Sequence, residues 1–253
     1  MNSRKPHVDW DILFGDDYDF FDLPDLTPEL SEREAAAMVK LGGFEPGMAL
    51  LDAPCGHGRH ANVLAAQGYA VVGVDRDERF LEMAAAEAGQ RGVDVDYRLL
   101  DLREMDFDAE FDAAVSWYSS FGYFDDETDR DILRRYRRAL RPGGRFLLDM
   151  HSPYRHIPSI LANHEMHVDV LRRGGNMAID IQELDAEASR YYAEKITIRG
   201  SKVERARYSV RMFTAPEIVE WFRTAGFSET RVMDEHGGTF TVSSRRLVVL
   251  GTA

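Results

Sequence analysis

Two aspartates bracket a glycine turn in LLDAPCGHGRHANVLAAQGYAVVGVDRDE, residues 50–78. Asp52 precedes Gly56 and Gly58, and Asp75 ends the next apolar run. A glycine-rich turn between a strand and a helix lets the backbone approach a ligand closely and aims helix N–H groups at it. The spacing Gly56-x-Gly58-x-x-Ala61 satisfies the loose dinucleotide fingerprint, and an acid at Asp75 suits two ribose hydroxyls. Glycine spacing alone leaves a dinucleotide redox site and a methyl-donor site tied. Asp52 separates them. Its carboxylate is repelled by a pyrophosphate but attracted by an ammonium and a sulfonium. The two acids therefore favour a cationic nucleoside, S-adenosylmethionine, with simple turn capping as the bland role for Asp52.

An acceptor would meet the chain elsewhere. Open α/β sheets bind ligands outside the carboxyl ends of their strands, which here run into WYSSFGYF (117–124) and DMHSPYRH (149–156). Tyr118, Phe121, Tyr123 and Phe124 supply an apolar wall with polar tips, and their ring faces attract a sulfonium. Core packing is the competing role for each phenylalanine. A histidine side chain ordinarily titrates near neutrality, which makes His151 the candidate base, ahead of His156, Tyr154 and Asp149. Methyl transfer from a sulfonium is intrinsically favourable, however, and in-line positioning supplies much of the catalysis. An amine acceptor needs no strong base.

These residues need a scaffold, and 253 residues can bury a full core. The net charge of −13 weighs against nucleic acid, whose binding rests on cation–phosphate contacts. No apolar run approaches the ~18 residues of a membrane span. The N-terminus turns acidic where a signal peptide would be apolar, and the single cysteine, Cys55, suits a reducing cytoplasm. No Cys/His cluster has zinc spacing, so no metal is expected.

Residues 9–26 mix aromatics with aspartates and read as a short helix and loop. Thr27-Pro28 opens a helix that Gly42-Gly43 stops. MALLDA, AVVGVD, VDVDYRLL, FDAAVSW and RFLLDM then read as five strands, with helices after the first, second and fourth. This alternation over residues 48–150 argues for βαβ units and a parallel sheet flanked by helices. Residues 166–212 change texture: four alternating segments, separated by RRGGN, DAEAS and GS, read as an antiparallel insert. Its arginines, Arg190 and Arg211 among them, face Glu183, Glu187 and Glu194 and read as solvated cross-strand pairs of little individual worth. A helix (EIVEWFRTAG) and two strands (FSETRVMDE, RRLVVLG) close the chain.

LLDAPCGHGRHA, VVGVD, LLDL, FDAAVSW and LRPGGRFLLDM resemble, in order, the motifs of class I S-adenosylmethionine-dependent methyltransferases. The pattern is most similar to bacterial small-molecule and natural-product N-methyltransferases. The resemblance implies a Rossmann-like α/β fold: a seven-stranded, mostly parallel sheet whose last strand is antiparallel, plus the β insert after strand five. It implies an N-terminal helical lid (1–47), a cofactor-binding core (48–150), an insert (151–213) carrying the acceptor pocket and a homo-oligomer contact, and a C-terminal return to the sheet (214–253).

By the same resemblance, Asp52, Gly56 and Gly58 surround the methionine part of the cofactor; Arg59, just after Gly58, reads either as facing the cofactor carboxylate or as a solvated helix residue. Asp75 takes the ribose, with Arg76 beside it, and Asp101 takes the adenine amine, with Leu102 alongside. Ser116 and Trp117 meet the cofactor at the fourth strand. Pro54 departs from the family's usual glycine or alanine; it fixes φ and removes an N–H, so it shapes the turn without donating. Tyr18 of the lid reaches the methionine carboxylate or the sulfonium, with packing as its alternative. Tyr118, Phe121, Tyr123, His151 and Tyr154 form the acceptor pocket. The expected function is cytoplasmic methyl transfer from S-adenosylmethionine to a nitrogen of an amino sugar, amino acid or natural-product-like amine, leaving S-adenosylhomocysteine. O-methylation with His151 as base, cofactor binding without catalysis, and nicotinamide-dependent redox chemistry are the alternatives.

Overall fold

The computed structural model describes residues 4–161 and 166–253. Three helices, α1 (Trp10–Leu13), α2 (Asp16–Phe21) and α3 (Pro28–Gly42), precede β1 (Ala49–Asp52), α4 (Arg59–Ala66), β2 (Ala70–Asp75), α5 (Glu78–Arg91) and β3 (Asp96–Leu99). Next come β4 (Phe111–Ser116), α6 (Asp126–Ala139), β5 (Leu140–His151) and α7 (Pro153–Leu161). The hairpins β6 (Met166–Arg173), β7 (Asn176–Asp185), β8 (Arg190–Arg199) and β9 (Lys202–Arg211) follow, then α8 (Ala215–Ala225), β10 (Glu229–Met233) and β11 (Arg246–Thr252). Among the described residues, seven strands form one sheet in the order β10-β11-β5-β4-β1-β2-β3, and β6 to β9 form a second sheet in chain order. β1 to β5 pair in parallel, β11 is antiparallel to both of its neighbours, and the second sheet is antiparallel throughout. This is the architecture expected from the sequence.

Two details differ. PYRHIPSIL forms α7, a helix that residue spacing did not announce; Pro153 opens it, where a missing N–H costs nothing. β5 starts at Leu140, ahead of the expected RFLLDM, because Leu140 pairs with Phe111 before an irregularity restores the ladder at Ala113 and Arg145. Among the described residues, no helix is long and apolar enough to cross a membrane.

Alternation along the central strands feeds two cores, one on each sheet face. Leu51, Ala114, Phe146 and Leu148 pack under α6 and α8 with Tyr136, Trp221 and Phe222, whereas Leu50, Val115 and Leu147 pack under α3 and α4 with Met38 and Leu64. Phe146 is fully buried and stacks on Tyr136 at 4.2 Å and on Phe222 at 5.6 Å.

The second sheet is fastened to the first by buried arginines, against the expectation of solvated pairs. Arg190 is 3% exposed and donates to the carbonyls of Gly122 and Phe124 in the loop after β4. Arg211 pairs with Glu217 of α8 and with Asp126 of α6. These guanidiniums saturate carbonyls and carboxylates of other elements, a task that their planar donor fork suits. Glu194 does keep cross-strand partners in Arg205 and Arg207.

α3 is locked to α4 by a buried triad. Glu34 accepts an ion pair from Arg59 at 2.5 Å and a hydrogen bond from His60 Nε2 at 2.9 Å. Burial opposes the charge on Glu34, but the His60 bond and the Arg59 charge hold its carboxyl below the ordinary range. Burial pushes His60 down to about 4. The imidazole is thus a neutral donor to an ionised Glu34.

Two outcomes follow from this packing. Phe146→Ala should cost about 3–5 kcal/mol in denaturant unfolding; a loss under ~1 kcal/mol would contradict the tight stack. An unfolded chain protonates His60 as pH falls through 6.5, but the folded chain resists until about 4, so stability is present at neutral pH and lost on acidification across that window. His60→Gln should flatten this dependence by about 2–3 kcal/mol between pH ~7 and ~4.5, measured by unfolding at both pH values. An unchanged slope would refute the buried neutral imidazole.

Candidate active site

The carboxyl ends of β1, β2, β4 and β5 open on a cavity of about 440 Å³, within the roughly 300–1,000 Å³ range of small-molecule sites. Trp10, Leu13, Phe14 and Tyr18 of the N-terminal helices line one side, and Asp180, Tyr191, Lys195 and Tyr208 of the second sheet line another. The two sides are joined: the Asp9 amide donates to the Arg207 carbonyl at 2.8 Å and Lys195 Nζ pairs with Asp22 at 2.5 Å, while Arg79 of α5 ties Asp19 to the central unit at 2.5 Å.

At the cofactor end, Gly56 (φ +54°) and Gly58 (φ +75°) both take the left-handed conformation that glycine adopts freely. A Cβ on Gly58 would stand 2.3 Å from the Tyr97 hydroxyl and 2.6 Å from Ala84, so no side chain fits there. A Cβ on Gly56 would meet nothing within 4 Å; this glycine lines the cavity and leaves a backbone cradle open. Asp75 holds the cradle: Oδ2 accepts from the Gly56 amide at 2.7 Å and Oδ1 from the Asp77 amide at 3.0 Å. Each oxygen keeps a second lone pair for a ligand hydroxyl. Pro54 follows a cis peptide bond and lines the same wall.

Asp52 is 2% exposed, and its Oδ2 has no hydrogen-bond partner among the described residues. Burial pushes its pKa up to about 7, with Arg59 opposing and Asp75 reinforcing the rise. A buried, orphaned carboxylate oxygen is costly unless a ligand donor or cation completes it. Arg59 lines the cavity with its guanidinium 4.9 Å from the Tyr118 ring. The open cradle, the cavity-facing Asp75, the orphaned Asp52 oxygen and the adjacent Arg59 together fit a nucleoside with a cationic amino-acid arm.

Asp101, Leu102 and Arg76 also line the cavity. Both Asp101 oxygens already accept from Arg103, at 2.9 and 2.7 Å, so an adenine amine there would share the carboxylate with that guanidinium. Arg76 lies 5.0 Å from the Trp10 ring centroid. Tyr18 packs edge-on to Phe14 and Phe80, and burial raises its hydroxyl well above the ordinary value. It is a neutral phenol in the lid.

At the acceptor end, one buried ion pair organises several elements. Arg246 of β11 pairs with Asp149 of β5, its Nε donating to Oδ1 at 2.8 Å. Asp149 Oδ2 also accepts the Tyr118 amide at 2.9 Å, holding Tyr118 and Ser119 at φ +64° and +60°. Arg246 further donates to Ser119 Oγ at 2.9 Å and faces His151 Nδ1 at 3.1 Å. Arginine only donates, so Nδ1 is the acceptor and the ring proton sits on Nε2. The His151 ring is exposed by surface area yet closely packed by protein, and that desolvation together with the adjacent Arg246 charge pushes it down to about 3.

Of the acceptor-pocket residues read from the sequence, Tyr118, Tyr123 and His151 line the cavity, and Trp117 lines it at the cofactor side. Three assignments are corrected. Phe121 is 3% exposed and packs on Phe213 in the core. Tyr154 lies outside the cavity against Phe240, because α7 carries it away from β5. Ser116 is buried beneath the floor beside Tyr136, since strand alternation turns it opposite to Trp117. Residue patterns missed Trp10, Phe80, Lys195, Asp180, Tyr191 and Tyr208, which also line the cavity. The last four lie on one face of the insert, where alternation marks a face without saying what it faces.

Residues 50–144 match the family model of a methyltransferase domain. Over 118 residues the chain is 30% identical to a putative methyltransferase of Geobacillus sp. (strain WCH70), covering 46% of this chain and 48% of that one. The chain aligns with half or less of the length of the curated relatives it matches. Among solved structures, the CcbJ methyltransferase from Streptomyces caelestis superposes with a TM-score of 0.73 at 20% identity, over 89% of this chain and 95% of that one. The sugar N-methyltransferase KedS8 from Streptoalloteichus sp. gives 0.63 at 19% identity, over 88% and 85%. At such identities the likeness is one of fold. Residues 50–144 thus match a methyltransferase domain, and the chain as a whole shares the fold of these solved methyltransferases.

Proposed function

We propose that the protein transfers the methyl group of S-adenosylmethionine to a nitrogen of a small-molecule amine. The observation that carries this reading is the charge of the cavity. Among the described residues its lining holds seven aspartates (Asp11, Asp22, Asp52, Asp75, Asp77, Asp101 and Asp180) against three cations, Arg59, Arg76 and Lys195. The three lining histidines all have lowered pKa values, chiefly through burial, and are neutral at pH 7. Such a cavity favours cationic ligands at both ends and disfavours carboxylates and phosphates. The sugar N-methyltransferase activity stated for KedS8 supports an amine acceptor from outside the chain.

When bound, S-adenosylmethionine supplies an electrophilic methyl group on a sulfonium. Gly56 and Gly58 let the backbone come close to it, Asp75 receives the ribose hydroxyls, and Asp52 completes its orphaned oxygen against the ammonium arm. Arg59 faces the carboxylate of that arm. Trp10, Tyr18, Trp117 and Tyr123 line the walls around the reacting centre. The nitrogen lone pair of the acceptor attacks in line, and the leaving proton goes to solvent. His151 is a fixed hydrogen-bond donor through Nε2–H rather than a base, because Arg246 already engages Nδ1. This disfavours the oxygen acceptor, which needs that base.

Calorimetry with S-adenosylhomocysteine should show binding, and a folded protein that fails to bind at about millimolar ligand would overturn the reading. Asp75→Ala should weaken that binding at least about tenfold, through lost charge-assisted hydrogen bonds; equal affinity would remove Asp75 from the ribose site. For His151→Gln, the dependence of the methylation rate on pH should match the wild type between about pH 5 and 8. Loss of an ionisation from the profile would restore His151 as the base.

A further inference from the structure

Asp180 is a cavity aspartate that the cofactor does not explain and that no cation pairs directly. It lies on β7, on the face of the second sheet that lines the cavity, far in sequence from the methyltransferase domain. Its carboxylate is held rigidly: the Tyr208 hydroxyl donates to Oδ2 at 2.6 Å and Gln182 Nε2 to Oδ1 at 3.2 Å. Strand register sets Lys195 directly opposite on β8, yet Lys195 Nζ is committed to Asp22 at 2.5 Å. Among the described residues Asp180 has no ion pair within 4.0 Å, although its carboxyl is pushed up mainly by burial. Aromatic rings surround it. Tyr191 and Tyr208 meet edge-on at 6.1 Å, and Tyr123 closes the cavity beside them, packed on Trp10 at 5.2 Å.

A half-buried carboxylate with no direct ion pair, given only the partial charge support of a Lys195 that is paired elsewhere, fixed by two neutral donors and ringed by tyrosines, is built to receive a positive group. A bound ammonium would replace the lost solvation of the carboxylate, donate to its free lone pairs and gain from the ring faces. A neutral hydroxyl would gain only part of this, and an anion would be repelled. We propose that Asp180 is the anchor for the ammonium of a basic amine acceptor, and that the insert, through Asp180 and Tyr208, selects acceptors by that charge. The inference rests on the methyl-transfer reading and names its acceptor class. Asp180 acts as a binding residue: it gathers the charged form in which an alkylamine arrives, and the proton leaves to solvent before the nitrogen lone pair forms its bond to carbon. As that bond forms, the carbon–sulfur bond breaks with its electron pair left on sulfur.

The test uses the full chain saturated with S-adenosylhomocysteine and ligand-observed NMR on a matched set of small primary and secondary alkylamines, aminohexoses, and the corresponding alcohols and carboxylates. The wild type should favour the amines over their matched alcohols. Asp180→Asn, which keeps shape and a partner for Tyr208, should reduce that preference about tenfold, and Asp180→Glu should retain part of it. No amine preference in the wild type, or an equal preference in Asp180→Asn, overturns the anchor while leaving cofactor binding intact. Failure of S-adenosylhomocysteine to bind the wild type would be read separately, by calorimetry, and would overturn the methyl-transfer reading and the anchor with it.

Discussion

Parallel strands all end on the same side, so a sheet that places an acid at each strand end gathers like charges at one edge. Here Asp52, Asp75 and Asp149 end β1, β2 and the inner part of β5, each with under a tenth of its surface exposed. Burial raises all three carboxyls, and Asp75 raises Asp52 further. Such a concentration of charge in low dielectric is stable only if it is answered. Asp149 is answered in full by Arg246. Asp75 is answered by backbone amides, two of which hold the glycine turn in shape. Asp52 is answered only in part, by the nearby Arg59 charge, and keeps one oxygen bare. The remainder is a standing demand for a cationic ligand, and the electrostatics of the cavity follow from it.

The answer at Asp149 has a consequence for chemistry. Arg246 reaches across the sheet from β11 to neutralise Asp149, and the same guanidinium comes to rest against His151. A cation placed there to stabilise a buried carboxylate disfavours a second positive charge on the imidazole. The histidine that spacing alone marks as a base is thereby fixed as a donor. The same ion pair also holds Tyr118 and Ser119 in a left-handed backbone that side chains rarely adopt, which turns the Tyr118 ring toward Arg59. One electrostatic requirement thus sets a tautomer, a loop conformation and a wall of the cavity.

The cofactor half of the site was legible in the sequence because its parts are local. Asp52, Gly56, Gly58 and Asp75 fall within one βαβ unit, where strand ends, turn geometry and helix start fix their relative positions. The strands and the insert were legible for the same reason, through periodicity and turn residues. The acceptor half was not. Asp149, Arg246 and His151 meet only because β11 inserts antiparallel beside β5, and no spacing rule predicts a contact across 97 residues. Phe121 and Tyr154 were misplaced for a related reason: an aromatic near a strand end points to the cavity or to the core according to a loop and a helix whose directions are set by tertiary packing.

This division has a physical corollary for how acceptors are distinguished. Around the glycine turn the cavity wall combines main chain from residues 56–58 with the carboxylates of Asp52 and Asp75 and the Arg59 guanidinium, all placed by one βαβ unit. The acceptor end is built from side chains on β7, β8 and β9, whose sheet is fastened to the core by Arg190 and Arg211 rather than by the residues that face the cavity. Cavity-facing positions such as Asp180, Tyr191 and Tyr208 therefore sit on a frame that other residues hold. Exchanging them changes the charge and shape offered to an acceptor while the ladder hydrogen bonds of the sheet and its anchoring arginines stay in place. On the proposed function, this arrangement would let the insert face vary with the acceptor while the glycine turn stays fixed, because the cavity-facing side chains of the insert sit on a frame that other residues hold.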